Sequence, residues 1–292
     1  MSLPQFDYFT PKSIEEACSL LSKHSVQACV LAGGTDLLVK MKHRQITPRY
    51  VINLKTIPEL DYISYEDKEG LRIGALATIQ SIKTSTTIKR KYGMLNQAAG
   101  AESTVQVRNR ATIAGNVANA SPAADAPTAL IALGAKVKIV RLSGERTVAL
   151  EDFFVGPGQT VLQDGDIITE IQVPSLLPRS GGVYLKHSIR GADIAIVGVA
   201  VTVTLDEESC NDIKIVLGAV APTPIRARRA EELVRGRALT KELIGIVAQT
   251  ASEEARPIDD IRGYAEYRTK MVNVLTARAI TQAIGQAKSG SA

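Results

Sequence analysis

Two segments of small residues combine glycine with hydroxyl and amide side chains. The first has the sequence AGGTD at residues 32–36, and the second begins with ATIAGN at residues 111–116. Because glycine has no Cβ, backbone N–H groups in such loops can converge on an anion. The lack of bulk also lets a ligand lie directly against the backbone. Two such loops in one chain predict a cradle for a phosphate-bearing cofactor.

The polar residues of the first loop leave two interpretations open. Thr35 adds a hydroxyl donor beside the glycines. Asp36 would repel a phosphate if it pointed inward, so we expect it to cap a helix beginning at Leu37 or to accept a hydrogen bond from a sugar hydroxyl. A tight turn that merely needs glycine explains this loop equally well.

The second loop is more informative because it has almost no charge between Arg110 and Asp125. Neutral donors and a helix N-terminus are sufficient to hold a pyrophosphate. Asp125 could bind a ribose or ribityl hydroxyl, or simply favour the dipole of the helix that follows. The neutral hydrogen-bonding side chains of this segment are Thr112, Asn116, Asn119 and Ser121.

The composition indicates a soluble globular protein of two domains. The chain has 292 residues, of which 45% are hydrophobic and 22% charged, and domains usually contain about 100–200 residues. No apolar run approaches the roughly 18 uncharged residues of a membrane span. The first residues lack a secretory signal pattern, so the expected location is the cytoplasm.

Charge and cysteine content argue against two other classes of protein. The net charge is +5, but the basic residues are dispersed and aromatics make up only 4% of the chain. We therefore expect a solvated surface and no nucleic-acid partner. The isolated cysteines Cys18, Cys29 and Cys210 and three scattered histidines predict neither a disulfide framework nor a metal site.

The periodic patterns predict α+β architecture in both halves, without the regular βαβ alternation of a doubly wound sheet. Ser13 and Glu16 form a capping box for a first helix. The predicted strands of the first half are 28–31, 50–54, 60–65, 71–75, 136–141, 148–154 and 167–173, and its later helices are a short one capped by Thr78, 94–101 and 123–133. A composition break at 174–182 marks the domain boundary. Beyond it we predict an antiparallel meander (183–189, 194–205, 213–220) and helices at 226–235, 241–255 and 264–287.

Several motifs in the same order resemble one known family. They are LAGGTDLL at 31–38, TIAGN at 112–116, SPAAD at 121–125, DFF at 152–154 and LGAVAPTP at 217–224. With these motifs the chain resembles the FAD-binding medium subunits of the molybdenum hydroxylases, the xanthine dehydrogenase and carbon monoxide dehydrogenase family. A doubly wound nucleotide fold is not expected, because no G-x-G-x-x-G sequence lies at a strand-to-helix junction.

The resemblance implies a fold for each half. Residues 1–176 would form an FAD-binding domain of the vanillyl-alcohol oxidase (PCMH) type, with α+β subdomains at about 1–56 and 57–176. Residues 181–288 would form a C-terminal flavoprotein domain of the carbon monoxide dehydrogenase type. That domain combines a three-stranded antiparallel sheet with a helical bundle.

The resemblance also implies the site residues. Asp125 would hydrogen-bond the cofactor, and Ile168 and Ile194 would contact its ring system. Lys186 would lie near the flavin, where a cation favours the anionic reduced form; an exposed strand lysine is the alternative. No residue is expected to act as a catalytic base, and none to bind metal. The residues expected to hold the FAD pyrophosphate are Leu31, Ala32, Gly33, Gly34, Thr35, Asp36, Leu37, Leu38, Thr112, Ile113, Ala114, Gly115 and Asn116.

The second loop departs from the family at one position. The family usually has two glycines where this chain has Ala114 and Gly115. The added methyl group should be tolerated if the backbone of Ala114 has a negative φ.

The resemblance finally implies partners. A small subunit with [2Fe-2S] clusters would pass electrons to FAD in this chain, and a large subunit would carry the molybdenum cofactor. The external acceptor would be NAD+, a quinone or another oxidant, and the assembly a heterotrimer or a dimer of heterotrimers. The alternative is a stand-alone flavin oxidase or reductase of the same fold. Such enzymes often tether flavin through histidine or cysteine, and here both residue types lie outside the glycine loops.

Overall fold

Two hydrophobic cores organise the chain in the computed structural model, which describes residues 2–290. The larger core is built mainly from residues 17–173, and the smaller from residues 183–287. Tyr184, Ala200 and Val216 come from the second half but are buried in the larger core. The two halves therefore share apolar packing along their boundary.

The chain begins with a small parallel sheet of order β1-β3-β2. The Ser13 hydroxyl accepts a 3.1 Å hydrogen bond from the Glu16 N–H, which confirms the predicted N-cap. Glu16 in turn accepts from the N–H of Lys12 at 2.7 Å. The elements are β1 (Asp7–Phe9), α1 (Ile14–His24), β2 (Ala28–Leu31), α2 (Leu37–Lys42) and β3 (Tyr50–Asn53).

An antiparallel five-stranded sheet of order β4-β5-β10-β6-β7 follows. Its strands are β4 (Ile63–Glu66), β5 (Gly70–Gly74), β6 (Lys136–Arg141), β7 (Gly144–Ala149) and β10 (Ile167–Val173). Six helices connect β5 to β6: α3 (Ile79–Thr84), α4 (Thr86–Lys91), α5 (Gly93–Ala101), α6 (Val105–Arg108), α7 (Ile113–Asn119) and α8 (Asp125–Ala132). Strands β8 (Phe154–Gly156) and β9 (Gln159–Thr160) form a separate hairpin.

Two predicted strands of this half are wrong in extent. Strand β7 begins at Gly144 and ends at Ala149, because the sheet continues from β6 through a tight hairpin and its residues face mostly outward. The chain then turns through a short 3-10 helix at Leu150–Asp152. Pro58 begins another 3-10 turn at Pro58–Leu60, so the strand predicted at residue 60 starts only at Ile63.

The second half confirms the predicted meander. The sheet has the order β11-β12-β13-β14, in which a two-residue fourth strand extends the three that the sequence predicts. Helices α10 and α11 pack together, and α11 also packs on β11 and β12, while α5 and α8 contact the same sheet from the other half. The elements are β11 (Ser180–His187), β12 (Val197–Asp206), β13 (Ser209–Gly218), β14 (Ile225–Arg226), α9 (Arg228–Glu232), α10 (Lys241–Glu254) and α11 (Ala265–Ser289).

No helix within residues 2–290 is both long and apolar enough to cross a bilayer.

Helix α11 lies unusually close to β11 at one glycine. A Cβ on Gly181 would overlap the carbonyl oxygen of Ala283 and would lie 2.8 Å from the N atom of Ala287. The next residue, Gly182, has room, because its Cβ would lie 3.5 Å from Met94. Only the first glycine is therefore required by packing.

We expect Gly181→Ala to lower the free energy of unfolding by about 1–3 kcal/mol, the usual cost of overpacking. Gly182→Ala is the matched control and should change it by less than about 1 kcal/mol. Urea denaturation of the two variants measures both values. Equal stability of the two variants would contradict the close contact between β11 and α11.

Candidate functional site

A cavity of about 280 Å³ lies between the parallel sheet and the antiparallel sheet. Both glycine loops line it, as do Val30, Ile46 and Leu54 from the first sheet region and Ala75 and Leu162 from the second. The structure thus brings together most of the residues that the resemblance assigns to the cofactor. The predicted residues in its lining are Ala32, Gly33, Gly34, Thr35, Asp36, Leu37, Thr112, Ala114, Gly115, Asn116 and Ile168.

The two loops meet at Gly33. A Cβ on this residue would overlap the carbonyl oxygen of Arg110 and would lie 3.0 Å from the Cα of Ala111. Gly34 has a φ of 79°, which L side chains rarely adopt. The glycine pair is therefore required by the contact between the loops as well as by the turn.

The first loop also presents free backbone donors. Within residues 2–290, the N–H groups of Gly33, Gly34 and Thr35 donate no hydrogen bond to another protein group. These residues are half-buried and line the cavity. Half-buried N–H groups without partners are suited to binding an anionic ligand.

Asp36 does not cap helix α2, so that interpretation is wrong. No side-chain capping bond is present there. Its carboxylate instead accepts a 3.0 Å hydrogen bond from the amide of Asn119, at the end of α7. The side-chain amide oxygen of Asn119 accepts from the ammonium of Lys40 at 2.7 Å. This chain of polar groups fixes the first loop to the helix that follows the second.

Lys40 is a cavity residue that the sequence analysis missed. Its ammonium group adds a positive charge to a lining that otherwise offers mainly neutral donors. The sequence feature that could have revealed Lys40 is its spacing from Asp36, the residue just before α2. Residues four positions apart lie on the same side of a helix.

The second loop leads into α7. The hydroxyl of Thr112 accepts a 3.2 Å hydrogen bond from the N–H of Gly115 and caps the helix. Ala114 is buried within this helix and is not among the residues of positive φ, so its methyl group fits as expected. Thr112, Ala114 and Gly115 all face the cavity.

Three predicted residues of the loops do not line the cavity. Ile113 is fully buried in the larger core, and Leu31 is buried in a small core with Met41. Leu38 lies on α2 and is 38% exposed. Leu31 and Ile113 therefore anchor the two loops to the hydrophobic cores in which they are buried.

Asp125 and Lys186 form a buried ion pair outside the cavity lining. The ammonium of Lys186 lies 2.8 Å from the carboxylate of Asp125, and their side chains are only 7% and 4% exposed. Lys186 also donates to the carbonyl oxygen of Ala101 at 2.9 Å, and the Tyr184 hydroxyl donates to Asp125. The alternative of an exposed strand lysine is therefore wrong. Burial raises the pKa of both Asp125 and Tyr184.

Glu102 connects this ion pair with the cavity, and nothing in the sequence pattern pointed to it. One of its carboxylate oxygens accepts from the Asn116 amide nitrogen at 3.1 Å, and the other from the N–H of Ala126 at 3.4 Å. Burial, followed by the nearby charge of Asp125, raises the pKa of Glu102 to about 7. The amide oxygen of Asn116 is buried and has no partner among the described residues.

The opposite wall of the cavity is fixed by Asp166, which the sequence analysis also missed. Its fully buried carboxylate accepts hydrogen bonds from Arg141 at 3.0 Å and Arg146 at 2.6 Å. It also accepts from the N–H of Gln163 at 2.8 Å, which closes the turn before β10. This anchoring holds Ile168 in the cavity lining.

Ile194 lies outside this arrangement. It lies in the connection between β11 and β12, is 53% exposed and does not line the cavity.

Comparisons with known proteins agree with this arrangement. Residues 4–176 match the model of the FAD binding domain in molybdopterin dehydrogenase, and residues 183–283 match that of the CO dehydrogenase flavoprotein C-terminal domain. The chain is 34% identical to the glyceraldehyde dehydrogenase medium chain of Sulfolobus acidocaldarius, over 96% of this chain and 98% of the relative. It is 35% identical to the carbon monoxide dehydrogenase medium chain of Hydrogenophaga pseudoflava, over 96% and 97%.

Solved structures support the same relationship. Carbon monoxide dehydrogenase from Hydrogenophaga pseudoflava matches with a TM-score of 0.94 at 35% identity, covering 98% of this chain and 99% of that one. Quinoline 2-oxidoreductase from Pseudomonas putida 86 matches with a TM-score of 0.92 at 28% identity, over 98% and 99%. The resemblance seen in the glycine loops is confirmed. The chain belongs to the FAD-binding medium subunits of the molybdopterin dehydrogenases, the oxidoreductase family that includes the carbon monoxide and xanthine dehydrogenases.

Proposed function

We propose that this chain is the electron-transfer subunit of a heterotrimeric molybdenum hydroxylase. It would take electrons from [2Fe-2S] clusters of a small subunit and pass them to an external acceptor such as NAD+ or a quinone. The observation that carries this proposal is the cavity lined by both glycine loops. Relatives named as medium chains support a small and a large partner subunit. We further propose one or two copies of the heterotrimer and a cytoplasmic location.

The residues present fit FAD. The free N–H groups of Gly33, Gly34 and Thr35 and the ammonium of Lys40 suit a pyrophosphate. The buried amide oxygen of Asn116 has no partner among the described residues, so this amide is free to turn toward a polar group of the ligand. Loops 31–38 and 112–116 would therefore hold the pyrophosphate.

The remaining predicted residues suit other parts of the cofactor. Ile168 would provide an apolar contact in the cavity. Three other predicted residues do not line the cavity, and we propose that they lie near the flavin ring system of the cofactor. They are Asp125, Lys186 and Ile194. Asn116 connects the two regions, because it lines the cavity and also binds Glu102.

FAD supplies the redox chemistry when it is bound, and the residues of this chain bind it and set its electrostatic surroundings. Lys186 was expected to act as a free cation near the flavin. Its charge is balanced by Asp125 at 2.8 Å, so the nearby field is that of a buried ion pair. The contribution of Lys186 to the potential of the flavin should therefore be smaller than that of an unpaired ammonium.

We also propose how the chain is divided into domains. We assign residues 1–176 to the FAD-binding domain, with subdomains at about 1–56 and 57–176, and residues 181–288 to the C-terminal domain. The two large cores support this division. Residue 1 lies outside the described part of the chain.

The stand-alone flavin oxidase or reductase is the competing proposal. Such an enzyme would need its own substrate pocket and often a histidine or cysteine tether. Within the described residues, the cavity lining contains neither residue type. No observation favours this alternative.

The proposed function predicts the composition of the native complex. A tagged copy of this chain, isolated from its host, should retain two further subunits, with molybdenum, iron and FAD in one complex. Metal analysis and flavin fluorescence measure these components. FAD in a lone homo-oligomer would favour the stand-alone enzyme, and a purified chain that never binds FAD would overturn both proposals.

The contact at Gly33 predicts a sensitive position for binding. Gly33→Ala should push Arg110 away and separate the loops, at a cost of about 1–3 kcal/mol, or roughly fivefold to a hundredfold in FAD affinity. Gly93→Ala is the control, since its Cβ would meet no atom within 4 Å. Fluorescence titration with FAD measures affinity, and thermal unfolding without FAD separates a folding defect. Unchanged affinity in Gly33→Ala would contradict the assignment of the loops.

The buried ion pair predicts a non-additive stability effect. Lys186→Met should lower the free energy of unfolding by about 3–5 kcal/mol, because it leaves the Asp125 carboxylate buried without a countercharge. The double variant Lys186→Met/Asp125→Asn should recover part of this loss. Lys270→Met, which breaks an exposed ion pair with Glu266, should leave the free energy of unfolding nearly unchanged, because solvent screens that pair. Additive effects at positions 125 and 186 in denaturant titrations would contradict the buried pair.

A further inference from the structure

Two carboxyl groups lie near one ammonium group beside the proposed cofactor site, and only one of them forms an ion pair with it. Lys186 lies 2.8 Å from Asp125, and the Tyr184 hydroxyl also donates to this carboxylate. Glu102 is largely buried next to the pair but forms no ion pair of its own with Lys186. It accepts from the Asn116 amide and from the N–H groups of Asp125 and Ala126.

This arrangement assigns different charge states to the two carboxyl groups. An ionised carboxylate is stable in a buried site only with a countercharge or several strong donors. Asp125 has the ammonium of Lys186 and the hydroxyl of Tyr184, so it is the group that stays ionised. Glu102 accepts from the Asn116 amide and from the N–H groups of Asp125 and Ala126 but has no countercharge of its own, so it is the group that takes up a proton.

The Asn116 amide can respond to that proton. Its nitrogen and oxygen are interchangeable in shape, and its orientation depends on its hydrogen-bond partners. With Glu102 ionised, the amide nitrogen donates to the carboxylate across 3.1 Å, and the buried amide oxygen has no partner within residues 2–290. With Glu102 protonated, the reversed amide accepts the carboxyl proton, and its N–H groups become available on the other side.

We propose that Glu102 is a positioning residue whose gain and loss of a proton around neutral pH sets which end of the Asn116 amide faces the cofactor. Asn116 lines the cavity, so a protonated Glu102 presents an amide donor there, and an ionised Glu102 presents an amide oxygen. This inference rests on the proposed binding of FAD. Because the pyrophosphate of FAD is anionic, it is bound better by the donor than by the oxygen.

The ionisable surroundings of Glu102 come from three elements. Asp125 faces it from α8, and Tyr184 and Lys186 from β11. Arg108 of α6 donates to the backbone carbonyl of Glu102 at 2.9 Å rather than to its carboxylate. Tyr184 keeps its proton near neutral pH because burial raises its pKa, and the ammonium of Lys186 at 2.8 Å holds Asp125 as the anion, so Glu102 is the group that titrates.

The full-length chain tests this inference through the pH dependence of FAD binding. If only the protonated form binds well and Glu102 titrates near pH 7, the Kd for FAD should rise about tenfold between pH 6 and pH 8. In Glu102→Gln the amide mimics the protonated acid, so the Kd should stay near the wild-type value at pH 6 across this range. Quenching of flavin fluorescence gives the Kd and does not require the partner subunits.

A second variant tests the role of the amide. Asn116→Ala removes the group that transmits the charge, so its Kd should rise less than about threefold between pH 6 and pH 8, from a weaker starting value. Glu59→Gln replaces an exposed carboxylate on the Pro58–Leu60 turn and should keep the full wild-type pH dependence.

Stability without FAD provides an independent measurement. The pKa of Glu102 is raised in the folded chain, so the unfolded chain releases this proton first as the pH rises. The free energy of unfolding should therefore fall between about pH 4.5 and about pH 7 and then become level with respect to this group. Glu102→Gln should show less of this decline.

The failure of this inference is distinguishable from that of the proposed function. A wild-type Kd that is constant from pH 6 to pH 8, or a full pH dependence retained in Glu102→Gln or in Asn116→Ala, would overturn the role of Glu102 while leaving FAD binding intact. No FAD binding at either pH would instead overturn the proposed function.

Discussion

The close approach of Gly33 to the backbone at Arg110 is the constraint on which the site depends. The first loop follows β2 of the parallel sheet, whereas the second lies between α6 and α7 in the helical connection of the other sheet. They meet only because position 33 has no Cβ, which would overlap the Arg110 carbonyl oxygen. The cavity lies beside this contact, and the free N–H groups of the first loop face it. The same lack of bulk that allows a ligand to approach the backbone therefore also joins the two walls of the binding site.

A second constraint joins the two halves of the chain electrostatically. Lys186 belongs to β11, whereas Asp125 begins α8, and both are removed from solvent. Burying two charges costs several kcal/mol per ion, which their attraction offsets only when the geometry and the additional hydrogen bonds are good. Tyr184 and the Ala101 carbonyl oxygen provide those bonds. If the C-terminal sheet were displaced, Lys186 and Asp125 would lose each other as partners. The ion pair therefore fixes the position of that sheet relative to the half that carries the cofactor site.

Structural features that depend on residues close together in the sequence were predictable. Hydrogen bonds and ion pairs between residues far apart in the sequence were not. Ser13 caps its helix as expected, because the cap and its partner are three residues apart. Asp36 has the sequence context of a cap, but an amide donor from Asn119, 83 residues away, binds it instead. Glu102 and Asp166 carry no local signal of their side-chain partners, since Asn116, Arg141 and Arg146 come from other elements of the fold. The loops, the meander and the family were thus predictable, whereas the charge pairing around the site was not.

The one departure from the family in the second loop follows from the capping geometry. Thr112 caps α7 by accepting a hydrogen bond from the N–H of Gly115, and a Cβ on Gly115 would lie 2.9 Å from that hydroxyl oxygen. The methyl group of Ala114 instead lies inside the helix at an ordinary φ, where alanine is more favourable than glycine by about 1 kcal/mol. The two positions of the pair are therefore not equivalent. Alanine at position 114 leaves the helix cap undisturbed. A side chain at position 115 would instead crowd the Thr112 hydroxyl that caps α7.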